Sequence, residues 1–239
     1  LDNNESEVFF LQEKFQSMEN VLVYLGSIRD RDKLDSLCRG VDIVFHVAAF
    51  KHVYLCEYNP FDAVMTNVIG TQNLLKAATA SGAERVLFTS SDKAVNPTNV
   101  MGATKRVAEM VVQRAATKNG PRMCSVRFGN VLGSRGSVIP FFLKQREKGV
   151  IPITDTRMTR FNITLEEGVD LVMYAMTHMW GGEIFIPKIP SYRILDVAQA
   201  IAPECKQKVV GILPLVRLKS RLFGDFMVSM PYFNYGGAV

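Results

Sequence analysis

The fold class expected from the sequence is α/β: a doubly wound parallel sheet that lacks its first βα unit and carries a small C-terminal lobe. Three observations predict it. Short β-rich runs alternate with longer amphipathic stretches, the texture of parallel strands joined by crossover helices. The runs are mostly apolar rather than alternating, as strands buried on both faces should be. After Gly129 the texture changes to GSRGSVIP, followed by pieces too broken for a second full sheet.

Taken in order, the first helical pattern covers 5–15, and NVLVYLG at 20–26 reads as a strand. A helix over 30–38 leads to the strand DIVFHVAA at 42–49, and a long helix over 60–81 leads to RVLFTSS at 85–91. A helix over 99–118 precedes the strand MCSVRFGNV at 123–131, and the crossovers are expected to be right-handed. Beyond it come a helix near 138–148, a strand near 150–154, a helix over 165–178 and strands near 183–187 and 208–212. The expected units are a dinucleotide-binding domain over 1–135, a substrate-binding lobe over 136–212 with some strands returning to the sheet, and a divergent tail over 213–239. No internal repeat and no Pro-rich linker interrupts them.

Composition narrows the function. With 239 residues, 48% of them hydrophobic, and a mean hydropathy of +0.09, the chain can bury a full core and is neither disordered nor collagenous. Lys and Arg exceed Asp and Glu by 28 to 23, a mild surplus without a basic stripe. That suits an anionic small molecule and disfavours a nucleic-acid groove. Cys38, Cys56, Cys124 and Cys205 lie far apart with no CxxC, so reduced thiols are expected and no metal site is signalled. No apolar run approaches the roughly 18 residues of a membrane span, and no signal peptide is apparent, so a cytoplasmic protein is expected. Because the sequence starts at Leu1 within what reads as a structural unit, a further βα unit is expected before it.

Such a fold normally opens on G-x-G-x-x-G, and the chain contains none. Asp2 stands where the second strand would end, the position of the acid that accepts a ribose hydroxyl; with Glu5 it also has capping-box spacing. The densest polar cluster is Thr89-Ser90-Ser91-Asp92-Lys93 at a strand's carboxyl end, followed by Met101-Gly-Ala-Thr-Lys105 at a helix start. A hydroxyl, a carboxylate and two amines thus meet where open α/β folds bind ligands. The plainer alternative is a polar connecting loop with Asp92 as a cap. His46, His52 and His178 read as packing or surface residues, Met110, Met173 and Met176 as core, and Glu166-Glu167 as compensation of a helix dipole.

Four ordered blocks are more specific than any single motif: FHVAAFKHVYLCEYNPFDAVMTNVIGTQNLL, SSDKAVNPTNVMGATKRVAE, SVRFGNVLGSRGSVIPFF and MTRFNITLEEGVDLV. Over about residues 1–212 the chain resembles the extended short-chain dehydrogenase/reductases of polysaccharide biosynthesis, and among them it is most similar to UDP-N-acetylglucosamine 4,6-dehydratases. The resemblance implies a Rossmann-like domain holding NAD through Asp2, Ser27, Ile28, Ala48, Ala49, Lys51 and Lys105. Ser27 departs from an expected Asp. It implies a UDP-sugar held by Asn130, Arg135 and Arg160, and a reacting centre formed by Ser90, Asp92, Lys93, Met101 and Lys105. The implied reaction oxidises the hexose at C4, eliminates water across C5 and C6, and returns the hydride, with Asp92 as acid and Lys93 as base. Met101 stands where the superfamily usually has Tyr, and a thioether exchanges no proton. A homo-oligomer using the helices at 60–81 and 99–118 is a further implication. The rival readings are a 4- or 5-epimerase and a non-catalytic protein or gene fragment. After Ile212 the resemblance stops.

Overall fold

The computed structural model describes residues 1–117, 119–134, 136–211, 215–220 and 224–229, the last two stretches as backbone alone. Helices α1 (Glu5–Phe15) and α2 (Arg31–Leu37) precede strand β1 (Ile43–His46). Helices α3 (Val53–Tyr58) and α4 (Pro60–Val64) follow, then a π-helical turn over Met65–Gly70 that runs into α5 (Thr71–Ser81). Strand β2 (Arg85–Ser91) ends in a 3-10 turn over Asp92–Ala94, after which come α6 (Val100–Ala115) and β3 (Arg122–Phe128). The remainder comprises β4 (Asn130–Val131), α7 (Val138–Arg146), β5 (Val150–Ile153), β6 (Thr159–Ile163), α8 (Leu165–His178), β7 (Ile184–Phe185), β8 (Ser191–Arg193), α9 (Ile194–Ile201) and β9 (Lys206–Val209). A backbone hairpin of β10 (Leu215–Ser220) and β11 (Gly224–Ser229) lies in the tail.

The main sheet has the order β1-β2-β3-β7, every pair parallel. Side chains of β2 alternate between two cores. Val86 and Phe88 pack with Leu75, Ala78, Ala108, Val112 and Met123 under α5 and α6. Leu87 faces the other way, with Cys124, Val126, Ala175 and Met176 beneath α8. This two-sided burial is why RVLFTSS shows no alternation, and each large side chain so removed from water contributes about 1.5–3 kcal/mol. A third cluster, Phe142, Ile151, Ile153, Ile194 and Ala198, joins α7, β5 and α9. Smaller sheets β4-β6-β8 and β5-β9 stand beside the main one. Among the described residues β1 is an edge, with Ile43, Phe45 and Val47 exposed by 41%, 47% and 69%.

Several expectations need correction. The run 20–26 forms no strand: among the described residues it makes an isolated parallel bridge, Asp2 to Leu25. Asp2 is not the cap of α1. Asn4 is, accepting the Glu7 amide at 3.2 Å, while Asp2 Oδ1 accepts the Asn4 amide at 2.8 Å. The expected helix at 60–81 is split by the π-turn, and a helix ahead of it, α3, is extra; Pro60, without an amide hydrogen, suits the start of α4. Strands β6 and β8 escaped notice because their runs are short and half-polar, and helix α9, though mostly apolar, because it is only eight residues long. The last expected strand sits earlier, at Lys206–Val209. Met110 and Met173 are about half exposed rather than core, while Met176 is buried.

Candidate active site

Strands β2 and β3 end side by side, Ser90 level with Arg127 and Ser91 with Phe128. Beyond these ends the two chains turn and carry the polar cluster. Lys93 Nζ donates to Asp92 Oδ1 at 3.1 Å and to Asn130 Oδ1 at 3.3 Å, so one ammonium spans the ends of both strands. Ser91 Oγ donates to the same Asp92 oxygen at 2.9 Å and accepts the Lys93 amide at 3.3 Å. Both charged side chains are part-buried.

Helix α6 is brought onto this cluster by three local devices. Asn99 caps it, accepting the Gly102 amide at 2.8 Å, and Glu57 of α3 accepts the Val100 amide at 2.6 Å. Gly102 permits the contact itself, since a Cβ there would run into the Lys93 carbonyl oxygen. Met101 is consequently buried against Cys56 and Ala63 while its side chain lines the cleft. One turn on, Lys105 Nζ donates to the Thr89 carbonyl at 2.7 Å and lies 4.6 Å above the Phe88 ring. Burial pulls the Lys105 ammonium down to about 8, opposed by the nearby Glu109 carboxylate.

The cluster opens into a cleft of about 690 Å³ lined by Ala49, Lys51, Ser90, Lys93, Met101, Lys105, Asn130 and Arg160. Eight of the expected positions therefore share one cavity, and Asp92 joins it through Lys93. Arg160 lies level with Tyr192 on β8, and Arg160 Nη1 donates to the Thr159 carbonyl at 2.8 Å. Burial lowers the Arg160 pKa, while the negative charge of Asp92 acts to raise it. Ala48 and Ile28 instead pack together with Leu34 and Leu74. Asp2 and Ser27 lie beside Gly26, whose amide donates to the Asp2 carbonyl at 2.8 Å. Arg135 lies outside the described residues.

Some partners had no marker in the sequence. Ser90 Oγ is turned to the buried Glu109, donating at 2.6 Å, so the hydroxyl beside Asp92 belongs to Ser91, its neighbour in the same TSSDK run. Asn67, on the π-turn, accepts the Phe50 amide at 2.8 Å and donates to Thr104 Oγ1 at 2.9 Å, tying the loop before α3 to α6. A polar residue inside the apolar MTNVIG was its only signal. Arg29 donates to Asp62 at 2.9 Å and to Thr66, fixing the turn after Gly26. His46 is buried, its ring nitrogen 2.8 Å from Thr71 Oγ1, and burial together with the Lys105 charge pushes it down to about 3. His178 stacks on Tyr174 at the exposed end of α8, and Glu167 completes a capping box with Thr164.

A sheet of Rossmann type with its polar cleft at the carboxyl ends of the strands has the architecture in which open α/β proteins place their ligand sites. The chain belongs to the polysaccharide biosynthesis protein family, whose sequence pattern matches residues 1–225. It is 47% identical over 194 residues to the UDP-N-acetylglucosamine 4,6-dehydratase (inverting) of Campylobacter jejuni, a match covering 79% of this chain and 58% of that protein. It is 40% identical over 211 residues to the UDP-glucose 4-epimerase of Rickettsia conorii, covering 84% and 62%. The X-ray structure of Pen from Bacillus thuringiensis superimposes with a TM-score of 0.84 at 44% identity, covering 89% of this chain and 71% of that one. The chain thus spans about six tenths of the length of these curated relatives. Among the described residues no helix is long and apolar enough to cross a membrane.

Proposed function

We propose that the chain is the core of a nucleotide-sugar 4,6-dehydratase acting on a UDP-N-acetylhexosamine with NAD as cofactor. The observation that carries this reading is the Asp92–Lys93–Asn130 cluster at adjacent strand ends, with Lys105 on the helix beside it. In this reading residues 1–135 hold the cofactor and 136–212 the sugar nucleotide.

The residues present fit NAD. Gly26 is packed so closely that a Cβ would strike Leu1 and Lys33, and beside it the exposed Asp2 carboxylate, which accepts the Asn4 amide through Oδ1, would offer its other oxygen to a ribose hydroxyl. A carboxylate there repels a 2′-phosphate, which favours NAD over NADP. Ser27 would border the adenosine, with Ile28 and Ala48 packed behind it; Ala49 and Lys51 would line the far side, and Lys105 would hold the nicotinamide ribose. Bound there, NAD supplies the acceptor and donor of the hydride.

The chain's own groups perform the elimination. Removing water from a 4-keto sugar needs a base at C5 and an acid at the C6 hydroxyl. Lys93 and Asp92 share a hydrogen bond, and Asn130 orients the amine. Shift of the shared proton from the ammonium to the carboxylate would leave a neutral amine to take the C5 proton and a carboxylic acid to protonate the departing C6 hydroxyl. Ser91 donates to the same carboxylate oxygen and helps to hold it in place. Arg160, and Arg135 beyond the described residues, supply guanidinium groups for the diphosphate. Met101 shapes the cleft wall and moves no proton.

Incubation of the protein with NAD and UDP-N-acetylglucosamine, followed by mass analysis, tests the reading. Loss of one water supports it. A product of unchanged mass favours the second reading, an epimerase, which the Rickettsia relative recommends.

A further inference from the structure

The carboxylate of Glu109 is wholly buried on α6, yet no step assigned to the cleft uses it. It accepts four hydrogen bonds: from Ser90 Oγ at 2.6 Å, from Arg127 Nε and Nη2 at 2.8 and 2.7 Å, and from Arg106 Nη1 at 3.2 Å. Ser90 and Arg127 are register partners at the ends of β2 and β3, so one helical side chain pins both strands just before they release Asp92–Lys93 and Asn130. Burial pushes its pKa up, but the bonds from Arg127 and Ser90 outweigh that and hold the group ionised.

A buried ion pair is an inefficient way to stabilise a core, since well-packed apolar residues serve as well or better. The charge has a second recipient. Glu109 lies one helical turn from Lys105, on the same face of α6. Among the described residues the Lys105 ammonium has as neighbours a carbonyl, the Phe88 ring and the neutral His46. Without Glu109 this region would hold Arg106, Arg127 and Lys105 with no anion between them. Of those three, the amine gives up its proton first.

We propose that Glu109 is a positioning residue: its carboxylate fixes the two strand ends that carry the reacting groups and supplies the negative charge that keeps the Lys105 amine protonated. The functional meaning rests on the reading that the Lys105 ammonium engages the cofactor ribose, but the test needs no cofactor.

Protein labelled at the lysine ε-position is titrated by NMR, with Lys105→Arg identifying the Lys105 signal and the exposed Lys76 as internal control. In Glu109→Gln the Lys105 midpoint should fall by ~1 pH unit, a tenfold loss of proton affinity, with Lys76 unmoved. Glu109→Asp should recover part of the shift. A role confined to packing would lower the melting temperature and leave the midpoint in place, and an unmoved midpoint in a folded Glu109→Gln overturns the proposal. If that variant does not fold, Glu109→Gln/Arg127→Met read against Arg127→Met alone carries the measurement, since the comparison cancels the loss of the Arg127 charge and the half-exposed Arg106 can turn to solvent. Collapse of both would make Glu109 a folding determinant and count equally against it. A product that had lost no water would remove the dehydratase reading and leave this titration unaffected.

Discussion

Asp92, Lys93 and Met101 lie within one cleft wall but make different demands on the chemistry. If the first two serve elimination, Asp92→Asn and Lys93→Met should each lower dehydration by roughly 10²–10⁴. C4 oxidation should be spared more than water loss, which rapid-quench mass analysis in deuterium oxide separates. Met101→Leu changes only packing and should cost less than about tenfold. Met101→Tyr would set a phenol one turn from the Lys105 ammonium and should raise the rate. Near-normal dehydration by both Asp92→Asn and Lys93→Met, together with loss in Met101→Leu, would invert these assignments. Lys105 itself sets a pH limit. Its ammonium is present below about 8 and lost above it, so NAD affinity should decline as pH rises through that value. Fluorescence titration across the range checks this, and Lys105→Arg should abolish the decline.

At the level of elements, the approach of α6 to the turn after β2 depends on a missing side chain. Gly102→Ala should push the helix off the Lys93 carbonyl, costing about 1–3 kcal/mol of stability and most of the activity, read by urea unfolding and turnover. How legible each element was follows from where its partners come from. β2 spans Arg85–Ser91 as expected because both of its faces are buried locally by apolar neighbours. Leu22 and Leu25 look equally strand-like, yet they remain exposed, since a strand needs a partner of matching length as well as suitable residues. The polar cluster was legible for a related reason: a strand followed by Ser-Asp-Lys puts those groups at the carboxyl edge in any such sheet. Asn67 and Glu109 were not, because their partners come from distant elements and no spacing in the sequence links 67 to 104 or 109 to 127. The π-turn that presents Asn67 likewise leaves no mark in an apolar helical pattern.

Across the whole molecule, the buried imidazole of His46 ties stability to pH. The folded protein withholds a proton from it down to about 3, whereas the unfolded chain binds one near pH 6.5. Stability should therefore fall as pH drops through that window, by ~1.4 kcal/mol per pH unit from this group, and should be fully present at neutral pH and above. Urea unfolding at pH 7 and pH 5 should differ by about 2 kcal/mol for this reason, and His46→Gln should flatten the difference. The open flank of β1 has a more practical consequence. Among the described residues nothing pairs with the outer side of β1, and a free strand edge beside the exposed Ile43, Phe45 and Val47 is a template for another extended chain. Purified alone, the 239-residue polypeptide should self-associate edge to edge, scattering light increasingly with concentration. Phe45→Lys, which places a charge on that rim without touching the cleft, should keep it dispersed.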